Sequence, residues 1–435
     1  MELAIRGCLL SAELLTLSER AKHTTRGVGS LVVTAKAALP VFCLDYMRRY
    51  GHLWEKVISD DNIRLALHNA CKSNGRTSSD KRAKIEYIRN HPEESMRDVK
   101  KILTGGNYRT GDYLVYILRD PKLRLIYALP FYPDRVIHHC LMNVLEPIWN
   151  GLMYRYSFAC RKAYGHHKAG VLCAKLTKKY RYVLQGDIAQ FYVSISHDIL
   201  KRILRKKIKD TRILAMLDEL IDSIDTKRTN MKILSHFDRA KDRKVDQALR
   251  KLERVKACWD EVSGVPIGNF PSQWFGNVYM NEFDTFVKQT LRARNYERYC
   301  DDFLIFSNSK AELNSYKPKI TGYLYSNLHL NLSSMEVYPT AQGVDFCGYR
   351  YFHRGYVLLR KATARRLRGY CTEIENGLAT SSMTLETAQN RLGSLKGVLK
   401  WAKTYNFREA SHYNNLVREV NRKIKAKRTR DAEVC

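Results

Sequence analysis

An α+β fold is what this sequence predicts, and three observations carry the expectation. Short strand-like runs fall at 112–129, 181–186, 303–306 and 343–359, bounded by turn residues. Helical stretches lie between and after them. The 435 residues, 45% of them hydrophobic, suffice for two or three domains or subdomains around a sizeable core.

Charge is the unusual feature. Lysine and arginine number 75 against 44 acidic residues, a formal net charge of +31. Such an excess points to a polyanionic partner, most simply nucleic acid. A basic binder of anionic membranes is the rival class. The sequence holds no sustained amphipathic membrane helix and no apolar run long enough to span a bilayer, so no membrane is expected. Eleven cysteines without a C-x-x-C pair argue against a zinc ribbon or finger. With no convincing signal peptide either, reduced thiols and a cytoplasmic location are expected. The 27 tyrosines suit stacking on single strands, although most belong to packing.

Residues 1–46 do not share the texture of the rest of the chain and are expected to be a poorly ordered extension. From 47 to about 110 the pattern is helical, with a basic loop at 72–84. Residues 112–129 alternate as a hairpin around a turn at Asp120-Pro121-Lys122, which puts Lys122 and Arg124 at or just beyond its tip. Residues 133–149 read as a helix. His138 and His139 on it diverge by about 100°, a poor metal pair, and are read as structural. A basic glycine-containing loop at 157–167 precedes a helix at 168–180.

The strand 181–186 ends at Asp187, and Ile188 to Ile195 lead to an N-cap region at Ser196. Residues 198–222 are expected to be helical. The stretch 227–256 carries eleven basic and four acidic residues with thin apolar spacing, and reads as an exposed helix or a partly disordered insertion. Residues 264–273 make a Pro/Gly turn that opens a helix.

Next comes Arg298-Tyr299-Cys300-Asp301-Asp302-Phe303. Side chains alternate faces along a strand, so neighbouring acids share a face only at a turn. Asp301 and Asp302 are therefore expected at a hairpin tip. Held close, they repel unless a cation sits between them, and hard divalent ions take carboxylate oxygens. An isolated Asp-Asp pair is usually a solvated turn. Here Asp187, the glycine turn and a second hairpin at 343–359 keep it company. Residues 310–328 and 360–428 read as helices.

In this order the motifs resemble the palm of a reverse transcriptase. Asp187 to Ile195 is similar to the first palm motif, Tyr299-Cys300-Asp301-Asp302 to the Tyr-x-Asp-Asp motif, and 344–350 to the primer grip. The set covers roughly 47–405. The middle motif, Ile267-Gly268-Asn269-Phe270-Pro271-Ser272-Gln273, resembles the form found in reverse transcriptases of diversity-generating retroelements. Most relatives carry Gln where Ile267 stands.

The resemblance implies a right-hand polymerase: an antiparallel palm with helices, fingers and a helical thumb. By it, 47–170 and 198–266 are fingers with a basic insertion at 227–256, 171–197 and 267–352 are palm, and 353–435 are thumb. Asp187, Asp301 and Asp302 are the implied catalytic carboxylates. With the Ile188 carbonyl they would hold two Mg²⁺ ions, with Mn²⁺ able to take their place. Lys122 and Arg124 would neutralise the dNTP triphosphate, and Tyr192 would gate against a 2′-hydroxyl. Ile267 and Gly268 would line the nucleotide site. Phe346, Gly348 and Tyr349 would form the primer grip. Many polymerases carry a lysine after the catalytic hairpin to protonate pyrophosphate. Residues 330–337 hold none, so His329 or a fingers lysine substitutes, or the step is slow.

The implied partners are template RNA, cDNA, dNTPs and an accessory variability protein. The implied activity is error-prone RNA-directed DNA synthesis. Two other readings compete: a defence-associated reverse transcriptase with a dedicated non-coding RNA, and a catalytically idle RNA-binding protein that keeps the fold.

Overall fold

A computed structural model of the chain describes residues 49–72, 79–119, 122–256 and 261–434. The expected extension at 1–46 lies outside them. The chain divides at Arg49/Tyr50, and the second unit, Tyr50–Cys435, holds the fold.

Helices Asp60–Cys71, Ser79–Asn90, Pro92–Thr104 and Val136–Leu152 pack first. The expected basic loop at 72–84 is shorter than its composition suggests, because Ser79 already starts a helix and Lys84 pairs with Asp80 one turn back. Residues 73–78 lie outside the described set. Strands β1 (Leu114–Leu118) and β2 (Arg124–Ala128) form the expected antiparallel hairpin, with Leu118 across from Arg124. Asp120 and Pro121 at its tip are not among the described residues.

The stretch 227–256 departs from expectation. It forms helices Thr226–Ser235 and Arg243–Lys256, and the second buries Val245, Leu249 and Leu252 against Leu125 and Tyr127 of β2. Those three residues lie on one helical stripe, enough to dock the helix although most of its other positions are charged. Its charges are also internally paired: Asp246 takes both Arg239 and Arg250. The expected helix at 198–222 is two helices, His197–Arg205 and Thr211–Asp222. Asp210 caps the second, and its other oxygen accepts the backbone N–H groups of Leu53 (2.8 Å) and Trp54 (3.0 Å), which holds the start of the unit in place.

The central sheet contains β3 (Tyr182–Ile188), β4 (Tyr296–Tyr299), β5 (Asp302–Ser307) and β6 (Leu332–Pro339), all antiparallel, in the order β4-β5-β3-β6. Alternation along the strands divides the core in two. Leu184, Phe303 and Ile305 face helices Phe270–Thr285 and Lys310–Leu328, while Val183, Leu304 and Phe306 face helix His166–Lys179 and the last sheet. That last sheet joins β7 (Val344–Phe346), β8 (Tyr349–Tyr351) and β9 (Val357–Leu359). Helices Lys361–Ala379, Leu385–Leu399 and Tyr413–Val434 then share a separate core around Ile374, Leu399 and Val420. The fold class is α+β.

Candidate active site

The carboxylates come together through register. Gly186 of β3 stands across from Phe303 of β5, so continuing the ladder sets Asp187 opposite Asp302. A glycine is required at 186, because a Cβ there would lie 2.2 Å from the Phe303 ring. Tyr299 pairs with Asp302 across β4 and β5, so the two-residue turn is Cys300-Asp301, and Asp302 opens β5 instead of sharing the expected tip with Asp301. Cys300 has φ +59°, a conformation that this turn demands and that non-glycine residues adopt at a cost.

Like charges held close resist ionisation. Burial raises the Asp301 carboxyl above the ordinary carboxylate range, and the charge on Asp187 adds to this. Asp302 is pushed up to about 7, by burial first and then by Asp187 and Asp301. The charge on Lys122, from the β1–β2 hairpin, acts on both and lowers both. The Ser333 hydroxyl, on β6, donates to the Asp187 carboxylate. An all-oxygen donor set with surplus negative charge fits a hard divalent cation. Among the described residues, no three His, Cys, Asp or Glu side chains alone are gathered tightly enough to hold an ion. A backbone carbonyl or substrate oxygens would have to complete the shell.

Tyr192 lies on the short helix Phe191–Ser194 just after β3. Its hydroxyl is 3.5 Å from the Cys300 sulfur, and burial drives the phenol well above its usual range. Phe191 beside it is core. The 264–269 turn is sewn to both neighbours. The Val265 N–H donates to the Tyr192 carbonyl (2.9 Å), the Tyr127 N–H donates to the Ile267 carbonyl (2.7 Å), and Asn269 Nδ2 donates to the Tyr113 hydroxyl (2.9 Å). Gly268 has φ +128°, and a Cβ there would sit 2.3 Å from the Tyr127 carbonyl oxygen.

The β7–β8 turn holds Cys347 (φ +49°) and Gly348 (φ +88°), the two positive values that a tight hairpin favours. Asp302 contributes to raising the Cys347 thiol, so this turn lies within electrostatic reach of the carboxylates. Phe346 and Tyr349 flanking it are buried, and the Tyr349 hydroxyl donates to the Val398 carbonyl at 3.0 Å. Arg124 is exposed and shares a face with Leu118. Ile188 is buried in the main core. His329 ends helix Lys310–Leu328, with Nδ1 2.7 Å from Glu261 Oε1, and Ser196 donates to the other oxygen of that glutamate at 2.7 Å. His138 is buried, and burial pushes its imidazole down to about 3.

A family model described as reverse transcriptase (RNA-dependent DNA polymerase) matches residues 119–351, which include every position above from Lys122 to Tyr349. The chain belongs to the reverse transcriptase family. Its curated relatives are distant. Protein YkfC of Escherichia coli (strain K12) is 24% identical over 276 residues, 54% of this chain and 65% of that protein. Nuclear intron maturase 1, mitochondrial, of Arabidopsis thaliana is 22% identical over 139 residues, 28% of this chain and 20% of that protein. The chain thus spans less than two thirds of the length of either relative.

Within the reverse transcriptase domain, sequence reasoning left several side chains without a role. Ser333 and Asn269 are two, and Arg298 with Asp284 is a buried pair behind the Cys300 turn. Glu297, on the opposite face of β4 from Arg298, is fully buried, and its carboxyl has no charged partner and only the weak donor of the Cys173 thiol beside it. Burial holds that carboxyl well above the carboxylate range. A charged residue on each face of a four-residue strand otherwise made of tyrosine was the signal available in the sequence. No helix among the described residues is long and apolar enough to cross a membrane, and the described cysteines are all free.

Proposed function

We propose that this reverse transcriptase is an RNA-directed DNA polymerase that copies a retroelement RNA into cDNA. The observation that carries the reading is the meeting of Asp187, Asp301 and Asp302 at adjoining strand ends, with the Lys122 charge acting on the same point. We assign 47–170 and 198–266 to fingers, 171–197 and 267–352 to palm, and 353–435 to thumb.

The three carboxylates and the Ile188 carbonyl would hold two Mg²⁺ ions, with Mn²⁺ able to take their place. When bound, such ions stabilise charge on a transferring phosphoryl group and lower the pKa of the attacking hydroxyl. The chain's own residues do the rest. Lys122 and Arg124 neutralise the triphosphate. Lys122 is better placed than His329 to protonate the departing pyrophosphate, since Glu261 holds His329. Tyr192, whose hydroxyl lies beside the Cys300 sulfur, would be the gate against a 2′-hydroxyl. Phe346, Gly348 and Tyr349 hold the primer end.

The finer assignment is to the diversity-generating type, with an accessory variability protein as partner and a cytoplasmic site of action. Its support is Ile267. An aliphatic side chain offers the incoming nucleotide no hydrogen bond, and loss of one such contact removes on the order of 0.5–1.5 kcal/mol of discrimination. Primer extension on a defined RNA template tests the general reading. Wild type should extend with Mg²⁺, and Asp301→Ala/Asp302→Ala should abolish synthesis while leaving RNA binding nearly intact. Extension that survives in the double variant, or wild type that binds RNA without extending it, would sink the assignment. Sequencing RNA that co-purifies with the protein separates diversification from defence.

A further inference from the structure

We infer that Arg298, locked by Asp284, is a positioning residue that aims the Asp301–Asp302 turn. The inference rests on the polymerase reading and extends it to two residues outside the carboxylate set. Arg298 and Asp284 form an ion pair in which both side chains are 1% exposed. Nε and Nη2 of Arg298 donate to the two oxygens of Asp284 at 2.7 and 2.6 Å, and the Tyr296 hydroxyl donates to Asp284 Oδ1 at 2.5 Å. Nη2 also donates to the Ser157 hydroxyl at 3.0 Å. That leaves Nη1, which donates to the Cys300 carbonyl at 2.7 Å. A guanidinium fixed on one edge by a bidentate carboxylate presents its other edge at a fixed angle.

The carbonyl it grips belongs to the one residue of the turn with positive φ. Strained backbone of this kind persists only where its surroundings over-determine it. Here the surroundings come from three places: helix Phe270–Thr285 supplies Asp284, β4 supplies Arg298, and the 154–158 segment joins β4 backbone to backbone. In that join the Arg298 N–H donates to the Tyr156 carbonyl and the Phe158 N–H to the Arg298 carbonyl, both at 3.0 Å. A buried ion pair is by itself weak support for stability, because desolvation offsets its attraction. Its value here is directional. It orients the peptide between Cys300 and Asp301, and with it the direction in which Asp301 leaves the backbone.

Two variants test this. Arg298→Lys keeps a cation near Asp284 but cannot hold Asp284 and the Cys300 carbonyl together. Asp284→Asn keeps the shape and releases the guanidinium, and it carries the test if Arg298→Lys shows no cooperative melting. The first readout is Mn²⁺ binding to the protein–primer–template complex by electron paramagnetic resonance, which needs no turnover. The second is the Mg²⁺ midpoint of primer extension at saturating dNTP, normalised to active sites. Metal affinity should fall about 10–100-fold, the range seen when supports of metal ligands are removed. Turnover should fall on the order of 10²-fold, as for a misplacement of about 1 Å. The KM for dNTP should hold. A purely architectural role would lower the melting temperature and the active fraction and leave the Mn²⁺ affinity alone, and that result would overturn the inference. Wild type that binds Mn²⁺ but extends nothing would instead count against the polymerase reading.

Discussion

Glu297→Gln isolates the one fully buried acid of the β4–β5 hairpin, which has no counter-charge among the described residues. Its carboxyl sits on β4 near the thiols of Cys173 and Cys347, which burial itself pushes upward, so neither ionises near neutral pH. The ordinary value for Glu is 4.5, and the folded value is well above it. Below pH 4.5 folded and unfolded chains both carry the proton, and the group leaves stability unchanged. Above pH 4.5 the unfolded chain releases a proton that the folded chain keeps. Stability therefore falls as pH rises, by up to about 1.4 kcal/mol per pH unit, until the folded value is reached. Glutamine is neutral in both states and removes the slope. It also brings an amide without an assigned partner, a penalty that does not vary with pH. The test is a set of thermal melts of wild type and variant at pH 5, 6, 7 and 8. The difference in melting temperature should move steadily in favour of the variant as pH rises. A difference that is the same at all four values would refute the claim that Glu297 is folded in its neutral form.

Three further outcomes are expected. Leu249→Ala should destabilise the protein by about 2–5 kcal/mol, because Leu249 is core and not the surface of an insertion; an unchanged melt would restore the insertion reading. Tyr192→Ala should raise ribonucleotide incorporation by opening the space beside the 2′-carbon, and a constant dNTP-to-rNTP ratio would move the gate elsewhere. Ile267→Gln should lower misincorporation opposite template adenine by up to about tenfold, the equivalent of about 1.4 kcal/mol. Deep sequencing of products from one RNA template reads that ratio, and an unchanged adenine error frequency at measurable synthesis would retire the fidelity role of this turn.

What could be read from the sequence was whatever depends on neighbours along the chain. The β1–β2 hairpin and the tight connection between β4 and β5 each lie within a few residues and carry their turn chemistry with them, although the second turn falls at Cys300-Asp301, one residue before the expected tip, and the expected hairpin at 343–359 is three strands with a turn at Cys347-Gly348. Helix 310–328 was legible for the same reason, capped by Ser309 and closed at His329. Strand β6 was not. It is an edge strand with Ser333, Ser334 and Glu336 exposed, so it shows no apolar alternation, and only its pairing with β3 makes it a strand. The helix Arg243–Lys256 was misjudged because a few apolar residues among many charges look like solvent exposure until the partner surface on the β1–β2 hairpin is known. Asp284 gave no local sign of its role, since its partner Arg298 lies on another element and both are desolvated only by the fold.

The same contrast separates the two residues at the centre of the 264–269 turn. The 264–269 turn is held by backbone: Tyr127 N–H to the Ile267 carbonyl, Val265 N–H to the Tyr192 carbonyl, and Gly268 flat against Tyr127. None of these bonds uses the side chain of residue 267, which is half-buried. Gly268 is different, because its φ and the 2.3 Å approach leave no room for any other residue. Position 267 can therefore exchange a polar side chain for an aliphatic one while the turn keeps its path. An exchange there leaves Asp187, Asp301 and Asp302 undisturbed, because their placement depends on the β3–β5 ladder and on the Arg298–Asp284 pair behind it.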